Sequence, residues 1–176
     1  MGQAQKIMLI SLGFFSLNGT PYRNTAAVLA FLDLIAYSEG TYFHGDKGYK
    51  LCFAYRTFTS FDQHPGRIVR SFSGKRRIAS SAAGRYQLLS STWREIQRIL
   101  RLPDFSPESQ DRAALFLLDR YNALDDILSG YITRAIAKVN RIWASLPGSP
   151  YGQPTKILES LLIFYYDRLK FYQLER

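Results

Sequence analysis

Apolar residues recur at helical spacing in four stretches of the chain. In the first, Leu29, Leu32 and Ile35 follow one another at intervals of three, which places them on one face of a helix. The other stretches carry similar stripes of leucine, isoleucine and aromatic residues, and a stripe of this kind is typical of a helix with one buried face. The four stretches are Ala26 to Ala36, Ser91 to Leu102, Ile127 to Ala144 and Thr155 to Tyr172.

Residues that favour helix starts precede several of these stretches. Arg23-Asn24-Thr25 offers caps for the first helix, and Ser90 or Ser91 could cap the second. A further helix is predicted at Ser106-Pro107-Glu108-Ser109, with Ser106 as N-cap and Pro107 in the first helical position.

The segment from Tyr42 to Ser81 has a different character, because it is rich in Gly, Thr, Ser and aromatic residues. Within it, Lys50 to Tyr55 and Phe58 to Phe61 predict short strands. Gly66 to Arg77 contains five basic residues and only Phe72 as an aromatic. We interpret it as a solvated hairpin or loop with a basic face, since no nucleic-acid-binding signature surrounds it.

The N-terminus is set apart from the rest of the chain. Ile7 to Leu17 is a short apolar run behind Lys6, and Asn18 to Pro21 follows it as a turn signal. Such a run resembles the apolar core of a secretory signal peptide. The alternative is that it forms a first strand or helix that packs on the domain. We therefore divide the chain into an extension, residues 1–23, and one domain, residues 24–176. A functioning signal would place the protein in the periplasm or outside the cell; otherwise we expect the protein to stay in the cytoplasm until it is released.

Composition narrows the class of protein. The 176 residues, 47% hydrophobic and 21% charged, suit one globular domain with a sizeable core. A single cysteine, Cys52, excludes an internal disulfide, and two histidines are too few for a zinc site. No apolar run is long enough to span a bilayer as a helix. The net charge of +9 favours polyanionic partners such as nucleic acid, anionic lipid or a bacterial wall.

Glu39 is the candidate for acid chemistry. It ends the first helical stretch, and Gly40 follows it as the residue just past the helix end, where a positive φ carries no penalty for glycine. A carboxyl group half buried at such a place holds its proton more readily, as a general acid requires. Taken alone, the segment equally suits an ordinary surface glutamate in a last helical turn.

Several motifs, in this order and spacing, resemble the bacteriophage lambda lysozyme (endolysin) family of lytic transglycosylases. The resemblance covers about residues 27 to 160. The quoted motifs are Phe31-Leu32-Asp33, Ser38-Glu39-Gly40-Thr41, Gly48-Tyr49, His64-Pro65, Gly84-Arg85-Tyr86-Gln87, Asp104-Phe105-Ser106-Pro107, Ser109-Gln110-Asp111 and Ile142 through Gly148.

The resemblance implies a lysozyme-like α+β fold, with a mainly helical lobe, a small β-hairpin lobe and a sugar-binding cleft between them. It also implies cleavage of the β-1,4 bond between N-acetylmuramic acid and N-acetylglucosamine of peptidoglycan glycan strands. Glu39 would act as the catalytic acid, without metal or cofactor. We expect a monomer with no nucleic-acid partner and no transmembrane helix. The residues expected to bind substrate are Tyr151, Gln87, Tyr86, Tyr49, Tyr37 and Ser38.

Two features leave alternatives open. A glycosidase normally uses two carboxylates, and the nearest candidates for a partner of Glu39 are Asp46 and Asp62, in loop-like sequence. The family pattern has an aspartate where this chain has Lys50, so the β lobe has drifted. A hydrolytic muramidase and a non-catalytic wall-binding protein of the same fold are therefore the alternatives. For Tyr151 and Gln87 the alternative is that both side chains merely brace their loops.

Overall fold

The structure is a computed structural model, and it describes residues 25–73 and 76–174. The chain divides into two compact units. The described residues up to Ser38 and from Ala114 onward form the first unit, and Glu39–Ala113 forms the second. The predicted extension, residues 1–23 with Ile7 to Leu17 and Arg23, lies outside the described residues, and so does the predicted cap Asn24.

The first unit is helical. Its central helix, α1 (Thr25–Ser38), is buried on nearly every side, with Phe31, Leu34 and Ile35 fully excluded from solvent. The long helix α6 (Leu158–Leu174) packs along α1 through Leu161 and Tyr165. The other helices of the unit are the second half of α3 (Pro107–Arg120), α4 (Leu124–Leu128) and α5 (Ile132–Val139).

A buried ion pair joins the two long helices of this unit. The Asp33 carboxylate on α1 accepts hydrogen bonds from Arg168 Nε and from the Tyr172 hydroxyl, each at 2.9 Å. Burial, and then the negative charge of Asp33, raises the pKa of Tyr172 to about 12. The contact fixes the register of α6 on α1, because the hydrogen bonds of Asp33, Arg168 and Tyr172 form only when the two helices are aligned in this way. Over the described part of the chain, no helix combines the length and apolarity needed to cross a membrane.

The second unit contains two short antiparallel hairpins and two helices. Strands β1 (Leu51–Cys52) and β2 (Arg56–Thr57) pair, with Leu51 opposite Thr57, around a 3-10 turn at Phe53–Tyr55. Strands β3 (Val69–Ser73) and β4 (Arg76–Ser80) pair with Phe72 opposite Arg77. Helix α2 (Ser90–Leu100) and the first half of α3 (Pro107–Arg120) complete the unit. Its core is built on Trp93 and Phe105, whose ring centroids lie 4.6 Å apart.

The basic segment forms the β3–β4 hairpin, which confirms the hairpin interpretation. The prediction of strands at Lys50 to Tyr55 is right only for Leu51–Cys52, because Ala54 and Tyr55 adopt positive φ and turn the chain. The predicted strand at Phe58 to Phe61 is wrong. The β1–β2 pairing ends at Thr57, and Phe58 is buried in contact with Phe61 and Phe105, so its ring belongs to the core of the unit.

Helix ends are the other point of difference. The predicted cap at Ser106 is confirmed, since its hydroxyl accepts a hydrogen bond from the Ser109 amide at 3.3 Å. Neither Ser90 nor Ser91 caps α2, whose N-cap is Leu89 without a side-chain bond. The single helix predicted from Ile127 to Ala144 is wrong, because Gly130 at φ 83° separates α4 from α5. The last helix begins at Leu158 and not at Thr155.

Candidate functional site

Glu39 is the first residue of the second unit and directly follows the last residue of α1. Gly40 has φ +77°, as predicted for the residue beyond the helix end. A Cβ atom at Gly40 would lie 2.8 Å from the Tyr55 hydroxyl, so only glycine allows this phenol to approach. Glu39 itself is half-buried. The turn therefore holds the Tyr55 phenol against Gly40, and Glu39 precedes that glycine in the chain.

The segment after Glu39 is held by Thr41 and Gly48. The buried Thr41 hydroxyl donates a 2.5 Å hydrogen bond to the Arg85 carbonyl. A Cβ atom at Gly48, where φ is +82°, would lie 2.6 Å from the Thr41 carbonyl oxygen. Close backbone packing on one side and a hydrogen bond on the other thus fix the path of the chain just beyond Glu39.

Arg85 occupies the centre of this region. It is a buried arginine whose Nη1 donates to the Lys47 carbonyl at 2.6 Å. Its guanidinium lies 5.3 Å from the ring centroid of Tyr49 and 5.8 Å from that of Tyr86. A buried cation against aromatic faces is stabilised by the ring quadrupoles. Arg85 therefore ties the segment after Glu39 to the Gly84–Gln87 turn.

Tyr49 and Tyr86 meet on one carboxylate. Both phenols donate to Asp111 Oδ1, Tyr49 at 2.7 Å and Tyr86 at 2.6 Å. Burial, and then the negative charge of Asp111, raises the pKa of both phenols well above the usual range. Tyr86 is fully buried and Tyr49 is half-buried. The structure thus places two of the predicted substrate-binding tyrosines in a structural hydrogen-bond network.

Gln87 closes a tight turn with a positive φ of 47°. Its Nε2 donates to the Gly84 carbonyl at 2.9 Å. Its Oε1 accepts no hydrogen bond from any residue that the structure describes, and the side chain is half-buried. The amide is therefore held in place by its nitrogen while its oxygen stays available as an acceptor.

His64 braces the same turn from another direction. Its Nδ1 accepts a hydrogen bond from the Gly66 amide at 3.0 Å, so Nε2 carries the proton and donates to the Leu88 carbonyl at 2.9 Å. The ring lies 4.7 Å from that of Phe105. Burial lowers the pKa of His64, and the neutral tautomer is the one that satisfies both partners.

The candidate second carboxylates lie on exposed loops. Asp46 has a positive φ of 53°, and its carboxylate lies 3.9 Å from Lys50 Nζ. Asp62 is also exposed, and its amide is bonded to the Ser60 hydroxyl. The ammonium group of Lys50, which stands where the family has an aspartate, also lies 5.0 Å from the centroid of the Phe61 ring.

Three predicted site residues belong to the first unit. Tyr37 stacks on Phe164 at 4.2 Å, and the buried Ser38 hydroxyl lies 2.8 Å from that of Ser145. Tyr151 is 52% exposed, and its hydroxyl donates to the Arg141 carbonyl at 3.0 Å. The contact between Ser38 and Ser145 fixes the start of the Pro/Gly-rich loop, and Tyr151 presents its ring to solvent from that loop.

Sequence reasoning missed the residues that build this region. Arg85, Asp111, Thr41 and Gln110 stood within the quoted motifs, but none of them was proposed as a site residue. One signal could have identified them. They are polar residues at positions where helical periodicity or turn spacing predicts a buried side chain. A buried Arg or Gln must find hydrogen-bond partners, so it marks a place where segments meet.

The acidic residues of the second unit differ in their surroundings. Asp111 is bonded to two phenols, and Asp104 accepts from the Ser106 amide and the Ser109 hydroxyl. Asp46 and Asp62 are exposed. Glu39 is the half-buried carboxyl group that follows directly on the core helix α1. Its surroundings therefore differ from those of the exposed Asp46 and Asp62 and of the hydrogen-bonded Asp104 and Asp111.

Comparisons with known proteins agree with the motifs. The sequence model of the Endolysin family matches residues 29–169. The chain is 44% identical over 146 residues to the endolysin of Escherichia phage P2, covering 77% of this chain and 88% of that protein. It is 42% identical over 137 residues to the endolysin of Escherichia phage lambda, covering 76% and 85%.

Solved structures give the same result. Bacteriophage lambda lysozyme complexed with a chitohexasaccharide matches with a TM-score of 0.77 and 38% identity, over 83% of this chain and 96% of that one. Another structure of lysozyme from bacteriophage lambda matches with a TM-score of 0.67 and 34% identity, over 86% and 94%. The predicted lysozyme-like α+β fold is thereby confirmed. The chain belongs to the endolysin family and is a lysozyme-like enzyme that degrades peptidoglycan.

Proposed function

We propose that this enzyme cleaves the β-1,4 bond between N-acetylmuramic acid and N-acetylglucosamine as a lytic transglycosylase, with Glu39 as its single catalytic carboxyl group. The observation that carries the proposal is the position of Glu39, half-buried at the end of the core helix. The other carboxylates considered as partners, Asp46 and Asp62, lie exposed on loops. Kinship with the phage lambda endolysin supports the same assignment.

The chemistry needs one group that first gives and then takes a proton. Glu39 protonates the oxygen that leaves with N-acetylglucosamine. The N-acetyl group of the muramic acid stabilises the positive charge that develops at the anomeric carbon as this bond breaks. The resulting Glu39 carboxylate then removes the proton of the C6 hydroxyl of the same sugar. The C6 oxygen bonds to the anomeric carbon, and the product carries an anhydro ring. The proton returns to Glu39, so the cycle closes without water.

We propose that the polar groups predicted to bind substrate contact the glycan. Gln87 offers its free Oε1 acceptor to a sugar amide or hydroxyl. Tyr151 offers an exposed ring and a hydroxyl that could exchange its bond to the Arg141 carbonyl for one to substrate. Tyr37 and Ser38 precede the acid directly in the chain. Tyr49 and Tyr86 would act mainly by positioning, since their hydroxyls are held by Asp111.

Binding and location follow the same proposal. The partner is the glycan strand of the cell wall, which the oligosaccharide complex of lambda lysozyme supports. We propose that the protein acts as a monomer without nucleic acid. It would reach the wall by release from the cytoplasm, or by export if Ile7 to Leu17 serves as a signal; that segment lies outside the described residues.

The test combines one substitution with product analysis. Glu39→Gln keeps the shape of the side chain but removes the exchangeable proton, so wall cleavage should fall by about 10²–10⁴-fold. Glu159→Gln, at an exposed position in the first turn of α6, serves as control and should stay active. Turbidity loss of purified walls measures the rates. Near-wild-type activity of Glu39→Gln would end the assignment.

The products decide between the two reaction types. Muropeptides released in ¹⁸O-labelled water should end in anhydro sugars without label. Reducing ends that carry ¹⁸O would identify a hydrolytic muramidase, and Asp46 or Asp62 would then become candidates for the second carboxylate.

A further inference from the structure

The turn between β1 and β2 holds two consecutive residues in the left-handed region of backbone conformation. Ala54 and Tyr55 both have φ 57°. Neither is glycine, and any other L residue adopts this conformation at a cost in free energy. Strained backbone of this kind persists where the surrounding structure fixes it, and it clusters at functional sites. The position of the Tyr55 side chain therefore needs a reason beyond local backbone preference.

The Tyr55 side chain lies against the turn that follows Glu39. A Cβ atom at Gly40 would lie 2.8 Å from the Tyr55 hydroxyl oxygen and 3.7 Å from the ring carbon that carries it. Gly40 directly follows Glu39 in the chain, and all three residues belong to the second unit. The phenol thus reaches the backbone next to the proposed acid.

A second ring holds this phenol in place. The rings of His44 and Tyr55 stack with their centroids 4.8 Å apart and an angle of 25° between their planes. The backbone amide of His44 donates a hydrogen bond to the Thr41 carbonyl at 3.1 Å, so the segment after Glu39 itself brings the histidine to this position. Backbone and ring contacts together keep the Tyr55 hydroxyl beside Gly40.

The Tyr55 hydroxyl is open to a ligand. Tyr55 is 60% exposed, and no residue in the described part of the chain forms a hydrogen bond with its hydroxyl. The hydroxyls of Tyr49 and Tyr86, by contrast, both donate to Asp111. A phenol can both donate and accept a hydrogen bond. A ligand can therefore pair with Tyr55 without breaking a bond within the protein.

We propose that Tyr55 is a further substrate-binding residue of this reaction, and that its hydroxyl forms a hydrogen bond with the sugar bound beside Glu39. The partner is a hydroxyl or acetamido group, since the amino sugars of peptidoglycan carry both. The inference rests on the proposed function, because it takes Glu39 as the position of the reacting sugar. A side chain that is held in place before the ligand arrives loses little freedom on binding, which accounts for the retention of a strained tyrosine.

The left-handed backbone separates this role from a structural one. Glycine adopts φ 57° without a Cβ penalty, so Tyr55→Gly removes the phenol and should not lower Tm. Ala54→Gly is the matched control, because it relieves the same conformation one residue earlier and keeps the phenol. Tyr55→Phe removes only the hydroxyl and keeps a ring that can stack on His44.

The first test measures binding of chitohexaose by isothermal titration calorimetry. Lambda lysozyme has been solved in complex with a chitohexasaccharide. The full chain is used in the Glu39→Gln background, so that turnover does not compete with binding. Tyr55→Phe should weaken binding by about three- to tenfold, as expected for the loss of one hydrogen bond, and Tyr55→Gly by at least as much. Ala54→Gly should bind like the parent, and melting curves check each fold.

The second test measures turbidity loss of purified walls by the active enzyme. Tyr55→Phe should require about three- to tenfold more wall substrate for half-maximal rate and keep the maximal rate within about twofold, because a contact made equally in the ground and transition states changes KM alone. Parent-like binding and kinetics of Tyr55→Phe would overturn the proposal. An equal loss in Ala54→Gly would overturn it too, by assigning the effect to the backbone of the turn. So would a lower Tm of Tyr55→Gly with unchanged affinity in the folded protein.

Failure of this inference and failure of the proposed function are distinguishable. The ends of the released muropeptides decide the reaction type, whereas affinity and substrate requirement decide the role of Tyr55. A wild-type enzyme that releases hydrolysed ends, while Tyr55→Phe still weakens chitohexaose binding, would refute only the transglycosylase assignment. Anhydro ends together with parent-like binding of Tyr55→Phe would refute only the role of Tyr55.

Discussion

Replacing Gln110 with methionine should destabilise the second unit strongly, although the substitution nearly preserves side-chain volume. Gln110 is fully buried, and its amide makes three hydrogen bonds. Its Oε1 accepts from the Arg85 amide at 2.9 Å, and its Nε2 donates to the carbonyls of Phe105 at 2.8 Å and Tyr49 at 3.1 Å. One side chain thus joins three segments around the turn that carries Gln87.

The expected cost follows from these three bonds. Methionine would leave the buried Arg85 N–H without its acceptor, which costs about 1–3 kcal/mol, and two carbonyls would each lose a bond worth about 0.5–1.5 kcal/mol. The better burial of an apolar side chain offsets part of this. A net loss of roughly 3 kcal/mol in the free energy of unfolding would lower Tm by about 6–12 °C in a chain of this length.

The matched control is Gln97→Met on α2. Gln97 is half-buried and donates one hydrogen bond, at 3.3 Å to the Leu102 carbonyl, so its loss should stay near 1 kcal/mol or below. Urea and thermal unfolding, followed by circular dichroism, measure both variants. If Gln110→Met lost no more stability than Gln97→Met, the argument that this amide holds the region together would be refuted.

Three further outcomes are expected. Tyr151→Phe and Gln87→Ala should each slow turnover at least tenfold, about 1.4 kcal/mol in the barrier, with little change in Tm; a fall in Tm with activity kept in the folded fraction would assign both to bracing. Burial lowers the pKa of His64. The contribution of the neutral His64 side chain to the free energy of unfolding should therefore be complete above about pH 6.5 and be lost as the pH falls below that value. In His64→Gln, this part of the pH dependence should be absent from unfolding curves measured over the same pH range. Arg168→Met should cost about 3–5 kcal/mol, because it removes the cation from the buried Asp33 carboxylate; denaturant unfolding with an unchanged midpoint would show that the ion pair contributes nothing.

Local sequence signals predicted those features that depend on local chemistry. Gly40 lies past a helix end with positive φ, and Ser106 caps α3 with Pro107 in the first turn, as expected. Both follow from backbone preferences that act over a few residues. Three of the four predicted helical stretches coincide with helices, whereas Gly130 divides the third into α4 and α5.

What the sequence did not predict depends on partners distant in the chain. The role of Arg85 requires the Thr41 hydroxyl and the Gln110 amide, which approach it only in the folded unit. Phe58 has the composition of a strand residue, but its ring packs on Phe105. Propensity measures how a residue suits a local conformation, and tertiary packing overrides it in such cases.

Lys50 stands where the family pattern has an aspartate. Lys50 is half-buried, and its ammonium group lies near the exposed Asp46 carboxylate and the Phe61 ring. The segment beyond Glu39 is fixed elsewhere, by the bond from the Thr41 hydroxyl to the Arg85 carbonyl.

Under the proposed function, drift near the β1–β2 hairpin would change side chains that can meet substrate, while the bond from Thr41 to Arg85 that anchors the chain after Glu39 stays intact. Binding to particular wall glycans should have diverged from that of the relatives more than the acid chemistry has. The reason is that a solvent-facing side chain can be exchanged at little cost in stability, whereas a buried hydrogen bond cannot.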